Sequence, residues 1–436
     1  MAMDLSLVSV WTLVPAYLLA LGMVVAMLWP AVGAAAGRRR FAIGAVSGII
    51  VGALLSWWLG SVENEADVSP TVVDRLWFVA VFAGLGIAVV AIIRGGWGRR
   101  LLAVVAAVVL ILTGGLAINR DAGLFTTVRE LLGRSQVAPL AMGGIHPAKV
   151  AVSWNPVLYE TWRPPPGMPV HGRYGSVEIP GIVSGFSARP AIVYLPPAAL
   201  VPDAPALPVV MLMSGQGPGA APSNVVQAGR IIETLDRLAA HNHGLAPIVV
   251  IPDQLGFATK NPMCLDGRFG RSDTYLTVDV TSWVRTHLPV QSAGKAWAVG
   301  GFSQGGTCSV QFAAKYPTLF RSFIDISGQL GPRLHSVEDT IARAFNGSVR
   351  AFDEAQPITI MQRMRPYPDS SGFIAVGASD RRYGPEAEKI AAAAQQAGMN
   401  IQTLKVRASS HDWATGSVGL ARGLDWLMPR IGLAAK

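Results

Sequence analysis

The stretch Ala296–Gly306, AWAVGGFSQGG, decides how the second half of this chain folds. An apolar, β-like run (Ala296–Val299) leads into Gly301-Phe302-Ser303-Gln304-Gly305, and a helical pattern over Thr307–Lys315 follows. G-x-S-x-G alone is a weak signal in a chain with 47 glycines. Set between a strand and a helix, it describes a nucleophile elbow, in which small flanking residues permit a tight turn and expose the serine oxygen. The helix that follows aims its N-terminal dipole at the same point. Ser303 is therefore the candidate nucleophile.

Working outward, short apolar runs alternate with helical patterns from about residue 171. Strands are expected at Ser176–Ile179, Ala191–Leu195, Pro208–Met213, Ile248–Ile251, Ala296–Val299, Ser322–Ile326, Phe373–Val376 and Ile401–Val406. Helices are expected over Val225–Ala240, Tyr275–Thr286, Thr307–Lys315, Pro385–Ala397 and Trp413–Met428. This alternation predicts an α/β domain over residues 171–436, with a mostly parallel sheet covered by helices on both faces.

A serine nucleophile needs a base, and the base needs an orienting acid. With an elbow of this kind the chain order is serine, acid, histidine. His335 and His411 both follow Ser303. His335 comes too early, before any suitable acid at a strand end. His411, in SSHDW, follows the last expected strand and precedes the final helix, so it is the candidate base. Asp380 ends GFIAVGASD directly after a strand and is the candidate acid. Asp325 and Asp412 are alternatives: Asp325 lies within a strand, and Asp412 is too close along the chain to reach round to the ring. The tetrahedral oxyanion needs preorganised N–H donors. The expected donors are the backbone amides of Gln304 and of Gln216, the latter in the Gly-rich loop SGQGPG after the third strand.

The N-terminal part reads differently. Leu5–Leu28, Phe41–Gly60, Leu76–Ile93 and Leu101–Ile118 are apolar and uncharged. A bilayer core takes about 20 helical residues, so residues 1–118 are expected to hold four transmembrane helices. The composition agrees, with 51% hydrophobic and 14% charged residues, against roughly 25% charged in ordinary soluble domains. The net charge of +9 is scattered. Its longest basic run, Arg38–Arg40, sits between apolar stretches, so a membrane explains it better than a nucleic acid does. Arg38, Arg39, Arg40, Arg94, Arg99 and Arg100 mark two inner loops, whereas Glu63, Glu65, Asp67 and Asp74 mark an outer one. The N-terminus and everything after Ile118 are then extracytoplasmic, with Trp57, Trp58 and Trp77 at the outer interface and Trp97 at the inner one. No Lys or Arg precedes Arg38, so the first run reads as a span rather than a cleaved signal peptide. Gly44, Gly48 and Gly52 form a small-residue ridge, read as packing within the bundle. The runs contain no Asp, Glu, Lys, Arg or His, which argues against transport. Residues 119–170 read as a connecting region, with one short helix over Thr126–Arg134.

The two cysteines exclude a disulfide-rich scaffold and a four-cysteine zinc site. Cys308 falls on the helix behind Ser303 and Cys264 in the long loop after Ile251. On the extracytoplasmic side they are expected to pair and to pin that loop near the serine.

The elbow GFSQGG, the following YPTLFRSFIDISGQLGP and the terminal SHDW resemble α/β-hydrolase esterases of the esterase D type, and more closely the mycobacterial mycolyltransferases (antigen 85 proteins). The resemblance covers residues 171–436. It implies Ser303 as nucleophile, His411 as base, Asp380 as acid, and the amides of Gln216 and Gln304 as oxyanion donors. The chain carries Asp where the mycolyltransferases use Glu, and His411 is followed by Asp412 rather than Ser. These departures argue against transfer of mycolate itself and leave serine acyl chemistry intact. The expectation is a membrane-anchored, extracytoplasmic serine esterase or acyltransferase that needs neither metal nor cofactor. Its partners would be the bilayer and an ester or acyl-lipid substrate. A non-catalytic scaffold on the same fold is the alternative, and a serine peptidase ranks last.

Overall fold

A computed structural model of the chain describes residues 2–29, 33, 35–61, 70–132, 137–148, 151–217, 220–257 and 259–435. Glu63, Glu65 and Asp67 of the expected outer loop, and residues 218–219 of the Gly-rich loop, lie outside the described residues. Two compact units emerge: residues 1–135 with 408–414, and residues 136–407 with 415–436.

The first unit is built on four helices, α1 (Val10–Leu28), α2 (Ala35–Ser61), α3 (Val72–Arg94) and α4 (Trp97–Ala122). Each is long and apolar enough to cross a membrane. The helices outrun the uncharged stretches of sequence because arginine is itself a good helix former and sits at their ends. Arg99 shows what such an end residue does. Its guanidinium donates to the Met27 carbonyl in the last turn of α1 (3.4 Å) and lies 5.8 Å from the Phe41 ring centroid. At the other end, α3 starts on a capping box. Asp74 N–H donates to the Thr71 hydroxyl (3.1 Å) and Thr71 N–H to the Asp74 carboxylate (3.0 Å).

Side-chain size is distributed inside-out in this unit. Its buried core is Met27, Phe41, Ile87, Ala88, Ala91, Ala103 and Ala106, mostly small side chains. Leu18, Leu21, Ile50, Leu54, Ile111 and Leu112 face outward and are exposed. Small residues bring helix backbones close, and large apolar ones suit a lipid surround. The glycine ridge of α2 packs on α3. A methyl group at Gly48 would fall on the Phe82 carbonyl, and one at Gly44 would come 2.6 Å from the Gly86 carbonyl oxygen. The short segment expected near Thr126 is a single helical turn, Val128–Leu131, capped by Thr127.

Among the described residues the second unit holds ten strands: β1 (Arg173–Val177), β2 (Ala191–Leu195), β3 (Val209–Met213), β4 (Ile248–Ile251), β5 (Asp266–Gly267), β6 (Gly270–Arg271), β7 (Gly294–Phe302), β8 (Phe320–Ile326), β9 (Ser371–Gly377) and β10 (Asn400–Val406). Strands β5 and β6 form a small hairpin. The other eight make one sheet in the order β1-β2-β4-β3-β7-β8-β9-β10. Only β1–β2 and β2–β4 are antiparallel; every other pairing is parallel. Strands β2, β3, β4 and β9 are buried along their whole length, as expected of a sheet covered on both faces. The sequence expectation of a mostly parallel α/β sheet holds.

Three local expectations need correction. The helix expected over Val225–Ala240 is two helices, Pro222–Gln227 and Ile231–His241, because the chain turns left-handed at Arg230 (φ 50°). Residues Ser272–His287 include a π-helical stretch, Tyr275–Val280. Between β8 and β9 the chain forms three short helices, Val337–Ala344, Val349–Glu354 and Pro357–Met364, that the hydrophobic pattern did not announce.

The α2–α3 contact gives the first test. Gly48→Ile forces a branched side chain into the Phe82 backbone, and thermal aggregation in detergent should move down by at least 10 °C. Gly115→Ala, on α4 with nothing within 4 Å of the added methyl, should leave it unchanged.

Candidate active site

The end of β7 delivers Ser303 to the start of the helix Gln304–Lys315. Ser303 has φ 57° and ψ −118°, a conformation that costs a non-glycine residue on the order of 1–3 kcal/mol. The surroundings hold it there. Ser303 N–H donates to the Ile326 carbonyl of β8 (2.8 Å), and its own carbonyl accepts from Thr307 N–H (3.0 Å) and the Thr307 hydroxyl (3.2 Å). The flanking glycines explain the motif. A methyl at Gly301 or Gly305 would strike the Met213 carbonyl at the end of β3. The elbow therefore has room only because both positions lack a side chain.

The loop after β3 runs beside the serine. A Cβ built on Gly215 would lie 3.4 Å from the Ser303 Cβ. Two bonds set this loop. The Ser214 carbonyl accepts from Gln254 Nε2 (2.7 Å), and the Gly215 carbonyl accepts from the Ser214 hydroxyl (3.2 Å). In a trans peptide the N–H points opposite to the C=O. Fixing the Gly215 carbonyl thus fixes the direction of the Gln216 N–H. The other expected donor, the Gln304 amide, belongs to the unsatisfied first turn of its helix. The Gln304 side chain is buried and occupied elsewhere: its Oε1 accepts from Gln254 Nε2 (3.0 Å), and its Nε2 donates to Asn261 Oδ1 (3.2 Å).

Gln254 and Asn261 were not read from the sequence. Gln254 joins the loop after β3 to the residue following the serine. Asn261 joins that residue to the loop carrying Cys264, since its Oδ1 also accepts from Met263 N–H (3.0 Å). Neither belongs to a spaced motif; Gln254 offers only a polar side chain closely following the buried strand β4, and Asn261 offers no local signal. Cys264 and Cys308 form a disulfide across 44 residues, with Cα atoms 5.7 Å apart. It fastens the same loop to the helix Gln304–Lys315. Closing a loop of that length stabilises a fold by about 4 kcal/mol on the chain-entropy account. Just before Gln254, the buried Asp253 takes a bidentate bond from Arg189 (2.7 and 2.8 Å), whose Nη1 reaches the Ala220 carbonyl (2.7 Å).

Asp380 follows β9 and is buried. Its Oδ1 accepts from the Tyr383 (2.9 Å) and Arg382 (3.2 Å) amides at the start of the helix Tyr383–Gln396. That arrangement orients the carboxylate. His411 is buried within the segment 408–414, which clusters with the first unit. The alternatives fare differently. The Asp412 carboxylate accepts from the Ser409 hydroxyl (2.7 Å) and Ser410 N–H (2.8 Å), closing its own loop. Asp325 is wholly buried on β8. Burial pushes its carboxyl up to about 7, against the lowering effect of the Gly328 amide and with a further push from the Glu386 charge. A carboxyl so often protonated at neutral pH is a poor partner for an imidazolium. His335 is exposed in the loop after β8.

The family model described as Putative esterase matches residues 187–417, more than half of the chain and spanning the elbow, Asp380 and His411. The chain belongs to this esterase family. An uncharacterized protein of Corynebacterium glutamicum is 31% identical to this esterase over 303 residues, 67% of this chain and 70% of that one. Among solved structures, a ferulic acid esterase overlays with a TM-score of 0.51 at 18% identity, over 60% of this chain and 99% of its own. An S-formylglutathione hydrolase from Agrobacterium tumefaciens does so with the same TM-score and identity, over 61% and 97%. The catalytic unit of this esterase is thus an α/β-hydrolase, preceded by four apolar helices.

The raised Asp325 carboxyl has a consequence for stability. Unfolded, it ionises near 3.8; folded, near 7. Between these values the native state holds the extra proton, so this residue's contribution is full below about pH 4 and is lost as pH rises through 7. Asp325→Asn keeps an acceptor for the Gly328 amide and removes the titration. Melting curves from pH 5 to 8 should show a smaller fall in Tm for Asp325→Asn than for wild type; parallel curves would contradict the assignment.

Proposed function

We propose that this protein is a serine carboxylic-ester hydrolase or acyltransferase working through an acyl-enzyme, anchored in the membrane with its catalytic unit on the extracytoplasmic side. The observation that carries the reading is the elbow: Ser303 at positive φ, with the pinned Ser214–Gln216 loop beside it and a helix N-terminus behind it.

In this reading Ser303 Oγ attacks the ester carbonyl carbon while His411 takes the hydroxyl proton, with Asp380 holding the ring. Charge develops on the carbonyl oxygen and is met by the amides of Gln304 and Gln216. Collapse breaks the ester C–O bond, and His411 returns the proton to the departing alcohol. The acyl group, now on Ser303, is resolved by water or by an acceptor hydroxyl, His411 again serving as base. Every proton is accounted for by the serine, the histidine and the entering or leaving hydroxyl. The fold neighbours are hydrolases by name, which supports the reaction class.

The sidedness rests on the arginines at the start of α2 and on either side of the α3–α4 turn. The Cys264–Cys308 bond supports it, because disulfides persist outside the reducing cytoplasm. An anchor of this kind holds the site near lipid, which favours an acylated envelope component as substrate.

A fluorophosphonate probe should label the wild-type chain and fail to label Ser303→Ala. Turnover of p-nitrophenyl acyl esters should fall by a factor on the order of 10⁴ or more in Ser303→Ala and His411→Ala. Equal labelling of Ser303→Ala would defeat the assignment and leave a non-catalytic module on a hydrolase fold. Lengthening the acyl chain, with and without a sugar acceptor, separates hydrolysis from transfer. Orientation is a separate test: alkaline phosphatase fused after residue 436 should be active and a fluorescent protein fused there dark, and the opposite pattern would reverse the topology.

A further inference from the structure

We propose that the hydrolase unit carries a second binding site, a cationic pocket for a phosphate group borne on a short polyol, at the edge of the sheet away from Ser303. The proposal does not rest on the serine mechanism. The parallel strands deliver Ser303 and Asp380 at their C-terminal ends. At their N-terminal ends lies a cavity of about 300 Å³, lined wholly by residues of the hydrolase unit. Lys295 is the second residue of β7, Ser371 opens β9 and Asn400 opens β10. Ser371 stands in register with Ser322 of β8 on one side and with Asn400 on the other. Lys295 and Ser303 are eight residues apart along β7 and its end. At strand rise that separation is roughly 25 Å, so an occupant of the cavity does not reach the serine.

The charge in the cavity is unbalanced. Among the described residues, Lys295, Arg321 and Arg430 line it against one carboxylate, Asp369. Lys295 Nζ lies 2.9 Å from Asp369 Oδ2. The Lys295 hydrogen bond and charge, with the charge of Arg321, hold the Asp369 carboxyl below the usual range. Arg430 pairs with no acidic group among the described residues, and burial alone pushes its guanidinium below its ordinary value. The plane of that guanidinium is fixed: Nη1 donates to the Trp426 carbonyl (2.8 Å), and its central carbon lies 4.2 Å from the centroid of a Trp426 ring. Arg321 is oriented by its own Nη1 bond to the Pro368 carbonyl (2.9 Å). A guanidinium offers five N–H donors in a rigid fork that matches phosphate oxygens. The excess of two positive charges meets the charge of a phosphate monoester at neutral pH, about −1.5 to −2.

Two polar groups in the wall point the same way. Ser370 is 6% exposed, and its hydroxyl has no hydrogen-bond partner. The buried indole N–H of Trp154 has none either. Folded proteins rarely leave buried donors unpaired, because burial without a partner costs free energy. Both residues line this cavity, so an oxygen-rich ligand seated there satisfies them. The Ser322 and Ser371 hydroxyls, 3.1 Å apart, supply donors and acceptors for polyol hydroxyls. Small-molecule sites run from about 300 to 1,000 Å³. This cavity is at the lower end, which suits a phosphate on a short polyol and excludes a long acyl chain.

The test is isothermal titration calorimetry on the full chain in an uncharged maltoside detergent. The probes are glycerol 3-phosphate, its diester glycerophosphoglycerol, inorganic phosphate and glycerol. Wild type should bind glycerol 3-phosphate and inorganic phosphate and should not bind glycerol. Arg430→Gln should weaken glycerol 3-phosphate about 10-fold and Ser370→Ala about 3-fold. Ser370→Ala removes a hydroxyl that bonds nothing in the protein, so its melting temperature should stay at the wild-type value and its loss of affinity is not a folding defect. Asp369→Asn, at an exposed position, should tighten binding about 3-fold by removing a like charge. Arg350→Gln, an exposed arginine outside the cavity, should bind as wild type does. Ser303→Ala should do so too, which keeps the fate of this site separate from that of the proposed reaction. Tighter binding of the monoester supports a soluble phosphorylated polyol as occupant, tighter binding of the diester supports a phospholipid headgroup, and either order supports the site. Three results overturn it: no heat from any phosphate probe at millimolar concentration, equal affinity for glycerol and glycerol 3-phosphate, or wild-type affinity in both Arg430→Gln and Ser370→Ala.

Discussion

One backbone conformation constrains the rest of the hydrolase unit. Ser303 is held at φ 57° and ψ −118° between a strand and a helix, where an unsupported serine does not stay. Its support comes from elements far apart in sequence: the Ile326 carbonyl at the end of β8, the close passage of Met213 at the end of β3, and Thr307 one helical turn on. Parallel strands bring β3, β7 and β8 side by side with their C-terminal ends at one edge. The sheet order thus comes before the chemistry. Only a central parallel strand has neighbours on both sides able to hold such a turn from both flanks.

The same constraint explains why so much of the fold could be read from the chain. Buried strands of a covered parallel sheet are nearly continuous apolar runs. Ala191–Leu195 and Ile248–Ile251 were accordingly delimited by their sequence alone. The elbow was legible because glycine is needed on both sides of the serine for lack of space, and that need leaves a fixed spacing. What escaped notice lacked such a signature. The three helices between β8 and β9 have six to eight residues each, about two turns, too short for a 3.6-residue period to register. The break at Arg230 depends on a left-handed residue that composition does not disfavour or announce. Gln254 and Asn261 act through tertiary hydrogen bonds to Ser214 and Gln304, partners between 40 and 50 residues away, and no local pattern encodes them.

The two units answer to different solvents with the same twenty side chains. In the hydrolase unit large residues fill the interior: Trp297, Phe312, Phe320, Phe323 and Phe373 are fully or almost fully buried. In the helical unit alanines make up much of the interior beside Met27, Phe41 and Ile87, while many leucines, isoleucines and valines face out. Water drives large apolar groups inward. Lipid offers no such drive between helices, so close backbone approach is what remains to hold them together. The ridge Gly44, Gly48, Gly52 against α3 is that approach in its densest form.

The disulfide, the Arg189–Asp253 pair and the Gln254–Gln304–Asn261 network all stiffen the surroundings of Ser303, and all lie within the hydrolase unit. Transition-state complementarity requires the nucleophile, the oxyanion donors and the base to keep fixed mutual positions throughout the reaction.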